Sequence, residues 1–210
     1  MSIVEQSPVL VTNARGPSPF VIVCDHASNR IPAKYGDLGL SMTERVSHIA
    51  WDPGALAVSR SLADRLDAPL VQSTVSRLVI DCNRDLGATD LIWTLSEATR
   101  IAANENLVYN GVARPWPIGL IHGVDTRFTQ AVYDALAAEE PELNIGWNLP
   151  YAALNGVTLT LEKHGDGRGL DATMIEIRHD EILEPAGVDL WSSRLARCLA
   201  AARLARQEAM

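Results

Sequence analysis

The chain has 210 residues, 47% of them hydrophobic and 21% charged, with a formal net charge of −8. This composition carries a core large enough for a single domain over 1–210, and the acidic balance with scattered basic residues excludes a nucleic-acid partner, whose phosphates require a positive face. No apolar run is long enough to span a membrane, the N-terminus MSIVEQSPV lacks the basic-then-apolar pattern of a signal peptide, and three widely spaced cysteines fit a reducing cytoplasm and exclude a cysteine-based zinc site.

Met1 to Pro19 reads as an edge or lead-in segment. The first strand follows over about Phe20 to Cys24, a β-branched apolar run that changes in one step to Asp25, His26, Ser28, Asn29 and Arg30. Ser41 with Glu44 three residues on matches a capping box, and a short helix is predicted from Met42 toward Ala50. Pro53 and Gly54 break the chain before an amphipathic helix, whose apolar residues Ala55, Val58, Leu62 and Leu66 recur in steps of three and four. Leu70 to Gln72 predicts a second strand and Arg77 to Asn83 a third, with Leu78, Ile80 and Cys82 on one face and Val79, Asp81 and Asn83 on the other. Cys24 and Cys82 read as inert core residues. Ile118 to Ile121 is the next strand, ending at His122, and Asp125 is placed to cap a helix with Phe128, Val132 and Leu136 on its apolar face. Asn148 to Tyr151 reads as a loop. Val157 to Leu161 alternates as a strand ending at Glu162 and His164, before the glycine-rich GDGRG. Thr173 to Arg178 is the last strand, with Ile175 and Ile177 opposite Met174, Glu176 and Arg178. The chain closes on a helix with Val188, Trp191, Leu195, Cys198 and Ala202 on one side. Strands alternating with helices predict an α/β, three-layer α/β/α sandwich with a mostly parallel or mixed central sheet.

Several histidines and carboxylates fall at strand ends, where ligands bind in open α/β sheets. His26 follows the first strand, His48 precedes Asp52 by four residues, and His122 and His164 close later strands; Asp25, Asp52, Asp81 and Glu176 stand near them in the sequence. A hydrolytic zinc needs three protein ligands of this kind and one open position for water, but no spacing as specific as HExxH is present. For the Asp25–His26 pair a turn cap is the competing reading. Glu176 sits inside the apolar run MIEI, where an ionised carboxylate needs a partner or a function. It suits a general base for amide hydrolysis, but on the residues alone an ion pair with Arg178 is the better reading. Arg77, Arg84 and Arg178 have the fork that grips carboxylates, with a solvated charge or an internal salt bridge the better reading for Arg77. His122 and His179 read as structural, and GDGRG as a turn.

Taken in order, CDHASNRIP, HIAWDPGA, SRLVIDCNR, GVARPW, GWNLPY, EKHGDGRG and MIEIRHD resemble the N-formylglutamate amidohydrolase family over about Val21 to Ile182. The resemblance implies a zinc-exopeptidase-like fold and a zinc-dependent hydrolysis of N-formylglutamate to formate and glutamate, a step of histidine degradation. It implies Zn(2+) at His26, with Asp52 as second ligand and His48 in reserve, and Glu176 as general base and then acid. Arg84 with Asn83 would hold the carboxylate of a small acidic substrate, with Asn148, His164 and Arg178 lining the site. The pattern departs in one place. Family members carry some tens of further residues before GVARPW, ending in a histidine-bearing motif that looks like the remaining zinc ligand, whereas here Leu107 runs straight to Val108. The motifs on both sides are intact, so we expect a segment to be missing from the numbered sequence near 107–108. The rival reading is a shortened, degenerate member that binds an acidic ligand without turnover. The sequence leaves the oligomeric state open.

Overall fold

A computed structural model describes residues 7–86, 91, 108–109, 112–113, 115–150 and 158–209. The expected junction at 107–108 therefore falls at the edge of the described residues, with Leu107 outside them. The protein is α/β, with small mixed sheets and helices, and its chain forms two compact units. One comprises Met1–Cys82 with Gly87–Ile101, the other Asn83–Leu86 with Ala102–Met210.

In the first unit, β1 (Val9–Thr12), β2 (Ile22–Cys24) and β3 (Leu70–Ser73) form a sheet in the order β1-β3-β2. β1 runs antiparallel to β3, opposing Val11 to Val71; β2 runs parallel to β3, opposing Val23 to the same residue. The lead-in segment thus supplies an edge strand. α1 (Met42–Val46) starts with the expected capping box, the Ser41 hydroxyl accepting from the Glu44 amide while the Glu44 carboxylate accepts from the Ser41 amide. It stops at Val46, short of Ala50, where the Ser47 hydroxyl donates to the Glu44 carbonyl. α2 (Ala55–Leu66) buries Val58, Leu62 and Ala63. Cys24, Ala27, Ala63 and Leu70 form one small core; Leu40, Ala50 and Leu78 form another.

The predicted third strand over Arg77 to Asn83 is instead a chain of turns. The Ser76 hydroxyl donates to the Ala50 carbonyl and accepts from the Leu78 amide, and the Val79 amide closes back on Ser76. A serine that satisfies backbone groups locally competes with a sheet ladder. Cys24 is buried as expected, but Cys82 is exposed.

In the second unit, a short hairpin joins β4 (Val108–Tyr109) and β5 (Val112–Ala113). β6 (Ile118–Ile121), β7 (Ile145–Trp147) and β8 (Met174–Ile177) form a sheet in the order β7-β6-β8, parallel on one side of β6 and antiparallel on the other. α3 (Arg127–Glu139) buries Phe128, Val132 and Leu136, the face expected. Its N-cap is Thr126, while Asp125 accepts from the Arg127 amide one residue further in. α3 packs on α4 (Pro185–Glu208), which buries Trp191, Leu195, Cys198 and Ala202; Arg194 and Arg197 pair with Glu140 and Glu139 along the seam. Of the predicted strand over Val157 to Leu161, the described part is helical, running into a π-helical turn at Leu161–Gly165. The Glu162 amide donates to the Thr158 carbonyl, and the Thr158 hydroxyl donates to the Glu162 carboxylate. These bonds, four residues apart, override the apolar alternation. Among the described residues no helix is long and apolar enough to cross a membrane.

Candidate functional site

The first unit gathers three charged groups, Asp52, Asp81 and Arg77, around His26. β2 ends at Cys24, and the chain turns through Asp25 to place His26 at the strand's carboxyl end. The stretch that follows is fastened along the exit of β3. The Ala27 amide donates to the Ser73 hydroxyl, the Ser28 hydroxyl and the Arg30 Nε donate to the Thr74 carbonyl, and the Ser76 amide donates to the Arg30 carbonyl. The Asp52 amide donates to the His26 carbonyl, tying the segment before α2 to the same loop.

The His26 ring is clamped on both sides. Its Nδ1 lies 3.1 Å from Asp52 Oδ2 and its Nε2 lies 2.8 Å from Asp81 Oδ1. The side chain of His26 is 11% exposed, Asp81 is fully buried at 0%, and Asp52 keeps 48%. Arg77 braces the two carboxylates, donating to Asp81 Oδ2 at 2.8 Å and standing 3.6 Å from Asp52 Oδ1. Burial of the imidazole works against its charge, but the Asp52 charge and the hydrogen bonds to Asp52 and Asp81 outweigh it and raise its pKa to about 9, with Arg77 opposing. His26 is therefore an imidazolium at neutral pH, donating from both nitrogens. Burial likewise disfavours ionised Asp52, yet the charge and hydrogen bond of His26 and the charge of Arg77 hold its carboxyl below the usual range. Two carboxylates and two cations balance, which is what a buried charge cluster requires.

This donor set fits half of a zinc site. Two ligands on one zinc at bond lengths of ~2.0–2.1 Å stand roughly 3.3 Å apart in tetrahedral geometry, close to the Nδ1–Oδ2 separation. With Nε2–H donating to the buried carboxylate of Asp81, Nδ1 is the nitrogen left for a metal, the carboxylate–histidine arrangement that orients metal-bound imidazoles. Among the described residues, however, no group of three or more His, Cys, Asp or Glu side chains is arranged to hold a metal ion. The sequence pattern brought out His26 and Asp52 and named Asp81 among the nearby carboxylates without giving it a role; its position two residues before Asn83-Arg84, in an apolar run, was the available signal. Of the two readings open for Arg77, a solvated charge or an internal salt bridge, it forms the salt bridge. His48 lies beyond α1, partly buried.

The second unit holds the remaining candidates. Glu176 is on β8, directly opposite Gly119 of β6, which in turn is opposite Gly146 of β7. Asn148, at φ 51, is held by its backbone amide to the Leu120 carbonyl, and its side chain spans His122. Asn148 Oδ1 accepts from the His122 amide and Nδ2 donates to His122 Nε2 at 2.8 Å, while His122 Nδ1 donates to the Gly123 carbonyl at 2.7 Å. His122 is thereby held in a structural role, as expected. Asn83 is buried and its Oδ1 accepts from the Thr160 amide; the Arg84 guanidinium reaches the Asn83 carbonyl. His164 is exposed on the π-helical turn. Arg178 pairs with Asp180 at 2.7 Å and Glu181 at 3.0 Å. The GDGRG turn binds the chain to itself, with the Asp166 carboxylate accepting from the Val124 amide.

A family model described as N-formylglutamate amidohydrolase matches residues 18–115. Among solved structures, the chain is similar to the crystal structure of gene product Atu2144 from Agrobacterium tumefaciens, at 32% identity and a TM-score of 0.86, over 96% of this chain and 97% of that one. No curated protein matches.

Proposed function

The chain belongs to the N-formylglutamate amidohydrolase family, and from that premise we propose that it hydrolyses the amide of an N-formyl or N-acyl amino acid, N-formylglutamate foremost, as a zinc-dependent cytoplasmic enzyme. The proposed architecture is one three-layer α/β/α domain of zinc-exopeptidase type. The observation that carries the reading is the buried imidazole of His26, held through Nε2 by Asp81 with its other nitrogen turned to Asp52. In this reading His26 and Asp52 hold the metal. When bound, the metal supplies a water acidic enough to ionise near neutral pH and polarises the formyl carbonyl.

The other steps belong to side chains. Asp81 and Arg77 keep the His26 ring at one orientation. Glu176 takes the proton of the attacking water and returns it to the leaving nitrogen, so that glutamate departs as a neutral amine. Arg84, with Asn83 beside it, grips the substrate carboxylate; Arg178, already engaged by Asp180 and Glu181, has the weaker claim. Asn148 and His164 line the substrate's side.

A second reading has one observation in its favour: the donors at hand among the described residues stop short of a complete metal set. In that reading the protein binds a small acidic ligand without turnover. Formate release from N-formylglutamate, measured with and without added zinc, separates the two. Turnover that is lost on chelation and restored by zinc supports the hydrolase; binding of the substrate with no formate released at any metal loading supports the ligand binder.

A further inference from the structure

The row of residues Gly146, Gly119 and Glu176 crosses the second sheet on one face. Neither glycine has a positive φ, so neither is required for backbone conformation. What their missing side chains provide is room, and the turn after β7 occupies it. A Cβ on Gly119 would lie 1.9 Å from the Leu149 carbonyl oxygen and 3.1 Å from its carbon. The oxygen end therefore points at the sheet. The same Cβ would lie 3.7 Å from the Cβ of Glu176. The negative end of a peptide dipole is thus seated over Gly119, on the sheet row and face from which the Glu176 side chain leaves. The turn is fixed there by Asn148, whose backbone bonds β6 and whose side chain clamps His122 at both the amide and Nε2.

We infer that Gly119 is a positioning residue for Glu176: its bare Cα admits the Leu149 carbonyl, whose fixed dipole raises the carboxylate's affinity for the proton it must accept and return. A negative dipole end beside a carboxylate disfavours its charge, and a base that must later act as an acid works best when its proton affinity lies near the working pH. The inference rests on the reading of Glu176 as general base; the seating of the carbonyl does not.

The test is the carboxyl titration of Glu176, followed by 13C NMR in glutamate-labelled protein and assigned by its loss in Glu176→Gln. In Gly119→Ala the methyl group must displace the carbonyl, and the midpoint is expected to fall by about half a pH unit or more. The acid limb of kcat moves with it, and kcat drops roughly ten- to hundredfold with KM little changed. Gly146→Ala is the control, because its Cβ would meet side-chain atoms of Trp116 and Leu149 at 3.0 and 3.1 Å, which can give way; its midpoint stays at the wild-type value. Should Gly119→Ala fail to fold, Asn148→Gly loosens the same turn without adding an atom, and its midpoint is expected to fall in the same direction. An unchanged Glu176 midpoint in a folded Gly119→Ala protein, or in Asn148→Gly where that variant must decide, overturns the inference, as does an equal fall in Gly146→Ala. Wild-type protein that releases no formate, or Glu176→Gln that releases it at the wild-type rate, counts against the functional reading instead, and the titration separates the two failures.

Discussion

The His26 cluster and the Glu176 row hold their key groups by different means. Around His26 the constraint is charge: two carboxylates and two cations, interleaved within hydrogen-bonding distance and mostly removed from water. Around Glu176 the constraint is shape: two glycines leave room, taken up by the Leu149 main-chain carbonyl at Gly119 and by the Trp116 and Leu149 side chains at Gly146. A charge cluster depends on pH and on the integrity of each partner. A shape-held site depends on volume and is indifferent to salt. Substitutions that leave one region untouched should therefore be severe in the other.

The largest expected effect falls on the chemistry of the second region. Glu176→Gln keeps the size of the side chain and removes its basicity, so kcat for formate release should drop by about 10²–10⁴-fold with the melting temperature nearly unchanged. Steady-state kinetics beside a thermal melt would check both; a variant with wild-type kcat would remove Glu176 from the mechanism. Next comes the buried partner of the first region. Asp81→Ala strips His26 and Arg77 of a fully buried carboxylate and should cost about 3–5 kcal/mol in urea unfolding, with a further loss of zinc affinity of roughly 10–100-fold. A cost below about 1 kcal/mol would mean the cluster is not a linked unit.

The charge-held region should also show a pH signature that the shape-held one lacks. The folded pKa of His26, about 9, lies above its ordinary 6.5. Its contribution to the stability of the metal-free protein is thus full below pH 6.5 and is lost as the pH rises to about 9. Asp52, whose carboxyl is depressed, contributes above its ordinary 3.8 and loses that contribution as the pH falls through its lower folded value. Urea midpoints measured without metal should form a plateau between those limits and decline on the alkaline side. In Asp81→Ala the alkaline decline should shrink. A flat profile from pH 6 to 9 in the wild type would contradict the protonated clamp. The smallest effect belongs to α1, away from both regions. Ser41→Ala removes half of the capping box and should cost about 1 kcal/mol without altering kcat.

How far each region could be read from the sequence follows from the same contrast. The capping box at Ser41 and Glu44, the buried faces of α3 and α4, and the strands β2, β3, β6 and β8 were legible, because local spacing sets them. His26 and Asp52 were legible as charged residues next to a strand and a Pro-Gly break. Asp81 was read onto a strand that does not form, because the Ser76 hydroxyl, bonding across to Ala50, turns the chain there, and that partner is remote in sequence. The strand expected at Val157 to Leu161 failed for a local reason, the Thr158–Glu162 side-chain bond. Gly119 and Gly146 carried no signal at all. Their role depends on a turn that returns to the sheet only once β6 and β7 are paired, and a glycine's missing side chain says nothing about what will fill the space.

The most direct test of the central claim, a metal held by His26 and Asp52, is the zinc content of purified protein saturated with zinc and then desalted. The account predicts about one zinc per chain in the wild type and none in His26→Ala. Wild-type protein that retains no stoichiometric zinc would contradict the metal site and leave the protein a binder of acidic ligands.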